Sequence, residues 1–271
     1  MKLGYINYLN CYPLYYEMME KRPVSGVQLI PGYPSELNEM MRNEELDISP
    51  VSSAAYADIQ DEVMILPEFC LGSVGYVRSV ILVSNVPIED LDGKTIGLSR
   101  ASQTSVVLLK SLLKQYYHID PIYQPSDPLP VLRDLDAALI IGNEAMTRNP
   151  EAVPYVYDLG DLWLRKTGFP VVFAVFVVRK KAMREQPETL KAIISSYHKS
   201  LGCLETERDI FIRKAGEKYP NIAYDISTYF RLIKYEFTQE LKDALRFYFS
   251  VAGASGFLRQ VNTLEFIPDS I

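Results

Sequence analysis

Residues 79–84 (Ser-Val-Ile-Leu-Val-Ser) and 171–178 (Val-Val-Phe-Ala-Val-Phe-Val-Val) decide how this chain is read. Short, unbroken apolar runs mark strands covered on both faces. The residues between them read as an α/β unit of their own. The two runs therefore read as crossing strands at a hinge. Residues 1–84 and 179–271 would form a discontinuous lobe I, and residues 85–178 an inserted lobe II. A cleft between two lobes is a common seat for a small molecule.

Working outward, strand, loop and helix alternate on both sides of these runs. A strand over residues 3–6 leads into Asn7-Tyr8-Leu9-Asn10-Cys11-Tyr12-Pro13 and a helix to about residue 20, with Pro13 suited to the first turn. A strand at residues 27–30 precedes a helix through residue 43, for which Ser35 is the expected cap. A short strand at 46–48 runs into Ser49-Pro50-Val51-Ser52-Ser53, read as a loop, and then a helix over 54–59. In the second unit a strand at 95–98, a loop at 99–102 and a helix over 103–117 repeat the pattern. There Val106, Leu109, Leu113 and Tyr116 or Tyr117 keep helical spacing. Strands are expected at 122–124, 135–141 and 155–158. Helices fill residues 187–218, broken near Gly202, and then 227–235 and 238–251. Ser227 and Thr238 are the expected caps of the last two. Such alternation predicts an α/β fold with parallel βαβ units.

Composition narrows the class. Of 271 residues, 48% are apolar and 23% charged, which fits a globular protein with a real core. The net charge is −6, from 28 basic and 34 acidic residues, with no basic stripe for nucleic acid. No run is long enough to cross a bilayer, and the first residues lack the apolar core of a secretory signal. Cys11, Cys70 and Cys203 are widely spaced. A cytoplasmic protein with no membrane and no nucleic-acid partner is the expectation. Oligomeric state has no signature in the sequence.

Two isolated histidines, His118 and His198, and three scattered cysteines do not make a metal cage. There is no nucleophile elbow, phosphate-binding loop or dinucleotide fingerprint. No metal and no cofactor are expected. Chemistry then falls to hydroxyls, amides and backbone dipoles. Three loop-to-helix junctions concentrate these groups: Asn10-Cys11-Tyr12-Pro13, Ser52-Ser53, and Ser99 through Ser105, which includes Ser102, Gln103 and Thr104. Each follows a presumed parallel strand, where ligands of open α/β sheets gather. Serine, threonine and asparagine are equally ordinary helix caps, so capping and ligand binding stand side by side. Asn10 lies in an apolar, aromatic loop. Ser79 heads the first apolar run beside Arg78. Arg78 and Arg100 suit carboxylates, and Asn143 and Glu144 end a buried strand. A surface or packing role is open for each, as it is for Trp163.

Several stretches carry a family resemblance. Gly4-Tyr5-Ile6-Asn7-Tyr8-Leu9-Asn10-Cys11-Tyr12-Pro13-Leu14 resembles the opening of chorismate dehydratases of the futalosine route to menaquinone. So do Asp47-Ile48-Ser49-Pro50-Val51-Ser52-Ser53-Ala54-Ala55-Tyr56, the segment from Ser79 to Ser84 with Val86-Pro87, that from Leu91 to Val106, and Asp136 to Gly142. The resemblance spans about the first two thirds of the chain; the remainder matches only as a helical tail. It implies a type 2 periplasmic-binding-protein-like fold and loss of water from chorismate, a small-molecule substrate, to give 3-[(1-carboxyvinyl)oxy]benzoate. It also implies that Asn10 and Ser79 are the catalytic residues. Ser52, Ser53, Ser102, Gln103, Thr104, Ser105 and Asn143 are the expected substrate-binding residues. Other expectations are a non-catalytic solute-binding protein of the same fold, the related dihydroxynaphthoate-forming enzyme, whose opening loop differs, and an effector-sensing regulatory domain, which would carry a DNA-binding segment.

Overall fold

The computed structural model describes residues 1–147 and 153–268. Its strands are β1 (Lys2–Ile6), β2 (Gln28–Gly32), β3 (Ile48–Ser52), β4 (Val63–Ser73), β5 (Val80–Ser84) and β6 (Thr95–Ser99). They continue with β7 (Ile122–Ser126), β8 (Ala137–Ile141), β9 (Tyr155–Asp158), β10 (Val171–Arg179) and β11 (Ile233–Glu236). Two sheets result, ordered β11-β4-β10-β3-β1-β2 and β7-β6-β8-β5-β9.

Both sheets follow one plan. A parallel trio, β2-β1-β3 or β7-β6-β8, comes first. An antiparallel strand then joins each trio, β10 beside β3 and β5 beside β8. Each of these two strands begins just after the chain arrives from the other sheet. This corrects the reading of residues 79–84 and 171–178 as crossings. β5 lies wholly in the five-stranded sheet and β10 wholly in the six-stranded one. The chain passes between sheets in residues 74–79 and 168–170. An apolar run reports burial on both faces; it does not report which sheet supplies the neighbours.

Side chains alternate across β5, so one strand serves two cores. Leu82 joins a large apolar cluster continuous through both sheets, with Leu3, Ile48, Val175, Ile96 and Leu139. Ile81 and Val83 face a smaller cluster with Ala138, Ile140 and Ala145.

Local chemistry sets the helix ends. Helix Gln103–Leu112 begins at Ser102, whose side chain accepts from the Ser105 amide at 3.3 Å. Helix Leu159–Thr167 begins at Asp158, which accepts from the Gly160 and Asp161 amides. It ends at Gly168, whose φ of +77° suits a residue without a Cβ. Thr238 caps helix Gln239–Ala254, which lies against both β10 and helix Gln103–Leu112.

Several boundaries differ from expectation. Residues 49–52 are strand, because Ser49–Ser52 pair with β10 in the sheet interior. Pro34, not Ser35, opens its helix, with Tyr33 in the cap position. Asp225 rather than Ser227 caps helix Ile226–Leu232, and residues 233–236 leave that helix to form β11. The long C-terminal helical region breaks at Glu207, between helices Pro187–Thr206 and Arg208–Lys218. Among the described residues no helix is long and apolar enough to cross a membrane.

Candidate active site

The segments that follow β1, β3, β6 and β8 converge on one cavity of about 50 Å³ between the two sheets. This is where the carboxyl ends of parallel strands place their loops. Its polar wall comprises Tyr8, Asn10, Ser52, Ser79, Ser102 and Ser105; Leu71, Val80, Ile141, Phe173 and Ile233 are among its apolar lining. Among the described residues no Asp, Glu, Lys, Arg or His lines it. The N-terminus of helix Gln103–Leu112 supplies the wall with partial positive charge.

Asn10 reaches the cavity from the loop after β1. Its Oδ1 is buried and has no hydrogen-bond partner. Such an atom is costly to leave unsatisfied and is therefore an unused docking point. Ser79 sits at the end of the first passage between sheets. The Asp158 carboxylate accepts from the Val77 amide at 3.1 Å and the Arg78 amide at 2.6 Å. The Ser79 carbonyl accepts from the Gly142 amide at 2.7 Å. Arg78 takes a φ of +68°, which turns the chain sharply just before the serine. Burial raises the pKa of Asp158, and its four amide donors pull the other way.

Ser52 is held from below. The Asn38 amide group donates to Ser52 Oγ at 2.9 Å and its Oδ1 accepts from the Ser52 amide at 3.1 Å. Ser102 and Ser105 share a hydroxyl contact of 3.1 Å. Tyr8 closes one end. Burial, then the facing Glu144 carboxylate, drive its pKa upward, so it keeps its proton. Its ring lies against Gly142, where an added Cβ would come within 2.5–2.8 Å of ring carbons. Gly142 also has a φ of +64°, so two independent constraints exclude a side chain there.

The other expected residues point elsewhere. Ser53 Oγ donates to the Val172 carbonyl at 2.6 Å. Thr104 Oγ1 accepts from the Ala54 amide at 3.1 Å and donates to the Phe173 carbonyl at 2.8 Å. Gln103 Oε1 accepts from Asn38 Nδ2 at 3.3 Å, and Asn143 Oδ1 accepts from the Leu9 amide at 2.9 Å. The bonds of Thr104, Gln103 and Asn143 join elements of one sheet to elements of the other. The structure thus brings Asn10, Ser52, Ser79, Ser102 and Ser105 together and assigns the remaining four to the polar seam beside them.

Arg78 places its guanidinium 5.5 Å from the centre of the Tyr224 ring. Arg100 lies outside the cavity, with Lys110, Arg259 and Asp58 in a groove of about 740 Å³ that also touches Ser102. His198 pairs with Glu68 at 2.7 Å at half-exposed positions. Trp163 is fully buried among aromatic rings. Sequence reasoning missed Asn38, Asp158 and Tyr229. A signal existed for Asn38 alone, a polar residue next to Leu37 and one helical turn before Met41 on a buried face.

Known proteins were compared with this chain. The family model described as menaquinone biosynthesis matches residues 1–254. A chorismate dehydratase of Thermus thermophilus is 31% identical over 232 residues, covering 79% of this chain and 82% of that protein. A 1,4-dihydroxy-6-naphtoate synthase of the same organism is 24% identical over 182 residues, covering 66% of each. The periplasmic aliphatic sulphonate binding protein of Escherichia coli superposes with a TM-score of 0.66 at 13% identity, covering 100% of this chain and 94% of that one. That identity speaks for fold alone, and the fold is that of the periplasmic binding proteins. By the extent of the family match and the identity to the dehydratase, the chain belongs to the menaquinone biosynthesis family.

Proposed function

We propose that this protein is a carbon–oxygen lyase that dehydrates chorismate to 3-[(1-carboxyvinyl)oxy]benzoate on the futalosine route. The observation that carries the reading is the cavity wall: an unpartnered Asn10 oxygen and the Ser79 hydroxyl, with no acid or base beside them among the described residues except a protonated tyrosine. A reaction that needs a strong protein base is poorly served by such a wall. A substrate that carries its own base is well served.

Chorismate is such a substrate. Its C3 hydrogen is vinylogous to the ring carboxylate, which delocalises the electron pair left when the proton departs. The enolpyruvyl carboxylate, folded over the ring, takes that proton. The C4–O bond then breaks, C3 and C4 become doubly bonded, and the ring is aromatic. The departing hydroxide and the transferred proton together make water. The protein's share is orientation, water exclusion and hydrogen bonds to the leaving oxygen. In this reading Ser79 Oγ and Asn10 Nδ2 donate to that oxygen, and Asn10 Oδ1 accepts from the substrate hydroxyl before it departs. Ser52, Ser102 and Ser105 hold the carboxylates together with the amides at the start of helix Gln103–Leu112.

The cavity, at about 50 Å³, is far smaller than the roughly 300 Å³ at the low end for small-molecule pockets. Substrate therefore enters an arrangement more open than this one. We assign the movement to two lobes, one on each sheet, that part about residues 74–79 and 168–170. Three cations in the groove beside Ser102, against one carboxylate, favour approach of a dianion from that side.

Incubating purified protein with chorismate and following the absorbance tests the reading. An aromatic spectrum is expected. Chorismate recovered intact overturns it, and binding without conversion would favour a solute-binding protein of the same fold.

A further inference from the structure

We propose that Tyr229 is a positioning residue for the Ser79 hydroxyl, fixing that hydroxyl as a hydrogen-bond donor toward the substrate. The proposal rests on the dehydratase reading and extends it to a residue near the far end of the chain.

The backbone around Ser79 is already fixed on both sides. Asp158 holds the two preceding amides, and Gly142 holds the serine carbonyl. The freedom that these contacts leave is rotation of the side chain itself. Tyr229, fully buried on helix Ile226–Leu232, donates its phenolic hydrogen to Ser79 Oγ at 2.8 Å. A serine hydroxyl has two acceptor lone pairs and one hydrogen. With one lone pair engaged from behind, the hydrogen is turned away from Tyr229. The serine lines the cavity, so that hydrogen is available to an oxygen inside it.

Tyr229 has a hydrogen to donate at any ordinary pH. Burial pushes the phenol pKa of Tyr229 upward, so the ring keeps its hydrogen throughout the ordinary pH range. Asp225 caps the helix by accepting from the Thr228 amide at 2.7 Å, which anchors the turn that carries Tyr229. The hydrogen bond spans 150 positions of sequence and ties the helix leading into β11 to the passage between the sheets.

A four-variant cycle tests the proposal: wild type, Tyr229→Phe, Ser79→Ala and the double variant. Turnover of chorismate and KM are measured, with melting temperatures to confirm folding. The expected result for Tyr229→Phe is a kcat about tenfold lower with KM changed less than about twofold, because the lost orientation matters most when charge develops on the leaving oxygen. In the Ser79→Ala background the same change should have no further effect. Full turnover by Tyr229→Phe, or losses that multiply in the double variant, would overturn the proposal. If the wild type leaves chorismate intact, the dehydratase reading fails instead. The positioning role is then read from a crystal structure of Tyr229→Phe. Ser79 spread over more than one rotamer supports it, and Ser79 unchanged in one rotamer rejects it.

Discussion

The cavity wall and the polar seam beside it are built from the same residue types, often from neighbours in sequence, yet they do different work. Ser52 faces the cavity and Ser53 bonds to a strand carbonyl. Ser102 and Ser105 face the cavity, while Gln103 and Thr104 between them join one sheet to the other. Gly142 lines the cavity, and Asn143 reaches back to the loop after β1. Helix geometry explains the division. Successive residues point about 100° apart, and residues three apart share a face. The cluster of hydroxyls and amides at the start of helix Gln103–Leu112 is therefore not one site. It is a wall residue, two residues of seam, and a wall residue again.

This contrast can be broken or sharpened by measurement. The largest expected effect belongs to the wall. Asn10→Ala should lower kcat by about 10²-fold, the loss typical of one donor to a developing oxyanion, here the Asn10 Nδ2 group. The melting temperature should hardly move, since the Asn10 oxygen has no internal partner to lose. Full turnover in this variant would remove Asn10 from the chemistry.

Thr104→Val tests the seam and should do the reverse. The hydroxyl satisfies a buried amide and a carbonyl, Ala54 and Phe173. Its removal should cost about 1–3 kcal/mol of stability in a denaturant titration, while kcat at saturating substrate stays within a few-fold. A Thr104 variant that unfolds normally but loses turnover as Asn10→Ala does would erase the distinction between wall and seam.

The smallest effect expected is none at all. Among the described residues the one titratable group on the cavity wall is Tyr8, and burial and Glu144 both raise its pKa, so it stays neutral. A substrate-supplied base titrates in the usual carboxylate range, near pH 4. The kcat profile should thus be flat from about pH 6 to 9 and fall only on the acid side. An acid limb centred near neutrality would point to a protein base outside the wall.

Much of this was legible in the sequence, for identifiable reasons. The parallel trios announce themselves through repeated strand, loop and helix, and their loops carry the serines that reach the cavity. The three-residue spacing of Ser102 and Ser105 was also present to be read. Other features had no local signature. The partnership of Tyr229 with Ser79 joins residues far apart in the chain, and Tyr229 lies in a segment whose pattern says only helix. β4 contains Pro67 and Glu68, which interrupt any apolar alternation, yet its register shifts against β10 accommodate them. The apolar runs at 79–84 and 171–178 read as strands, but they do not say which sheet each joins, because burial is indifferent to the identity of neighbours.

The chain has a single tryptophan, and its position gives that fact a use. Trp163 sits on the helix that follows β9, edge-on to Phe247 and Tyr248 of the C-terminal helix, at centroid distances of 5.9 and 6.3 Å. The first helix belongs to the inserted part of the chain, and the second leans on β10 of the other sheet. Tryptophan emission from the unmodified protein, excited selectively over its tyrosines, thus originates at one junction, where the two parts press together. Titrating a ligand while watching that light reads rearrangement of the junction directly, without an attached dye or an engineered label.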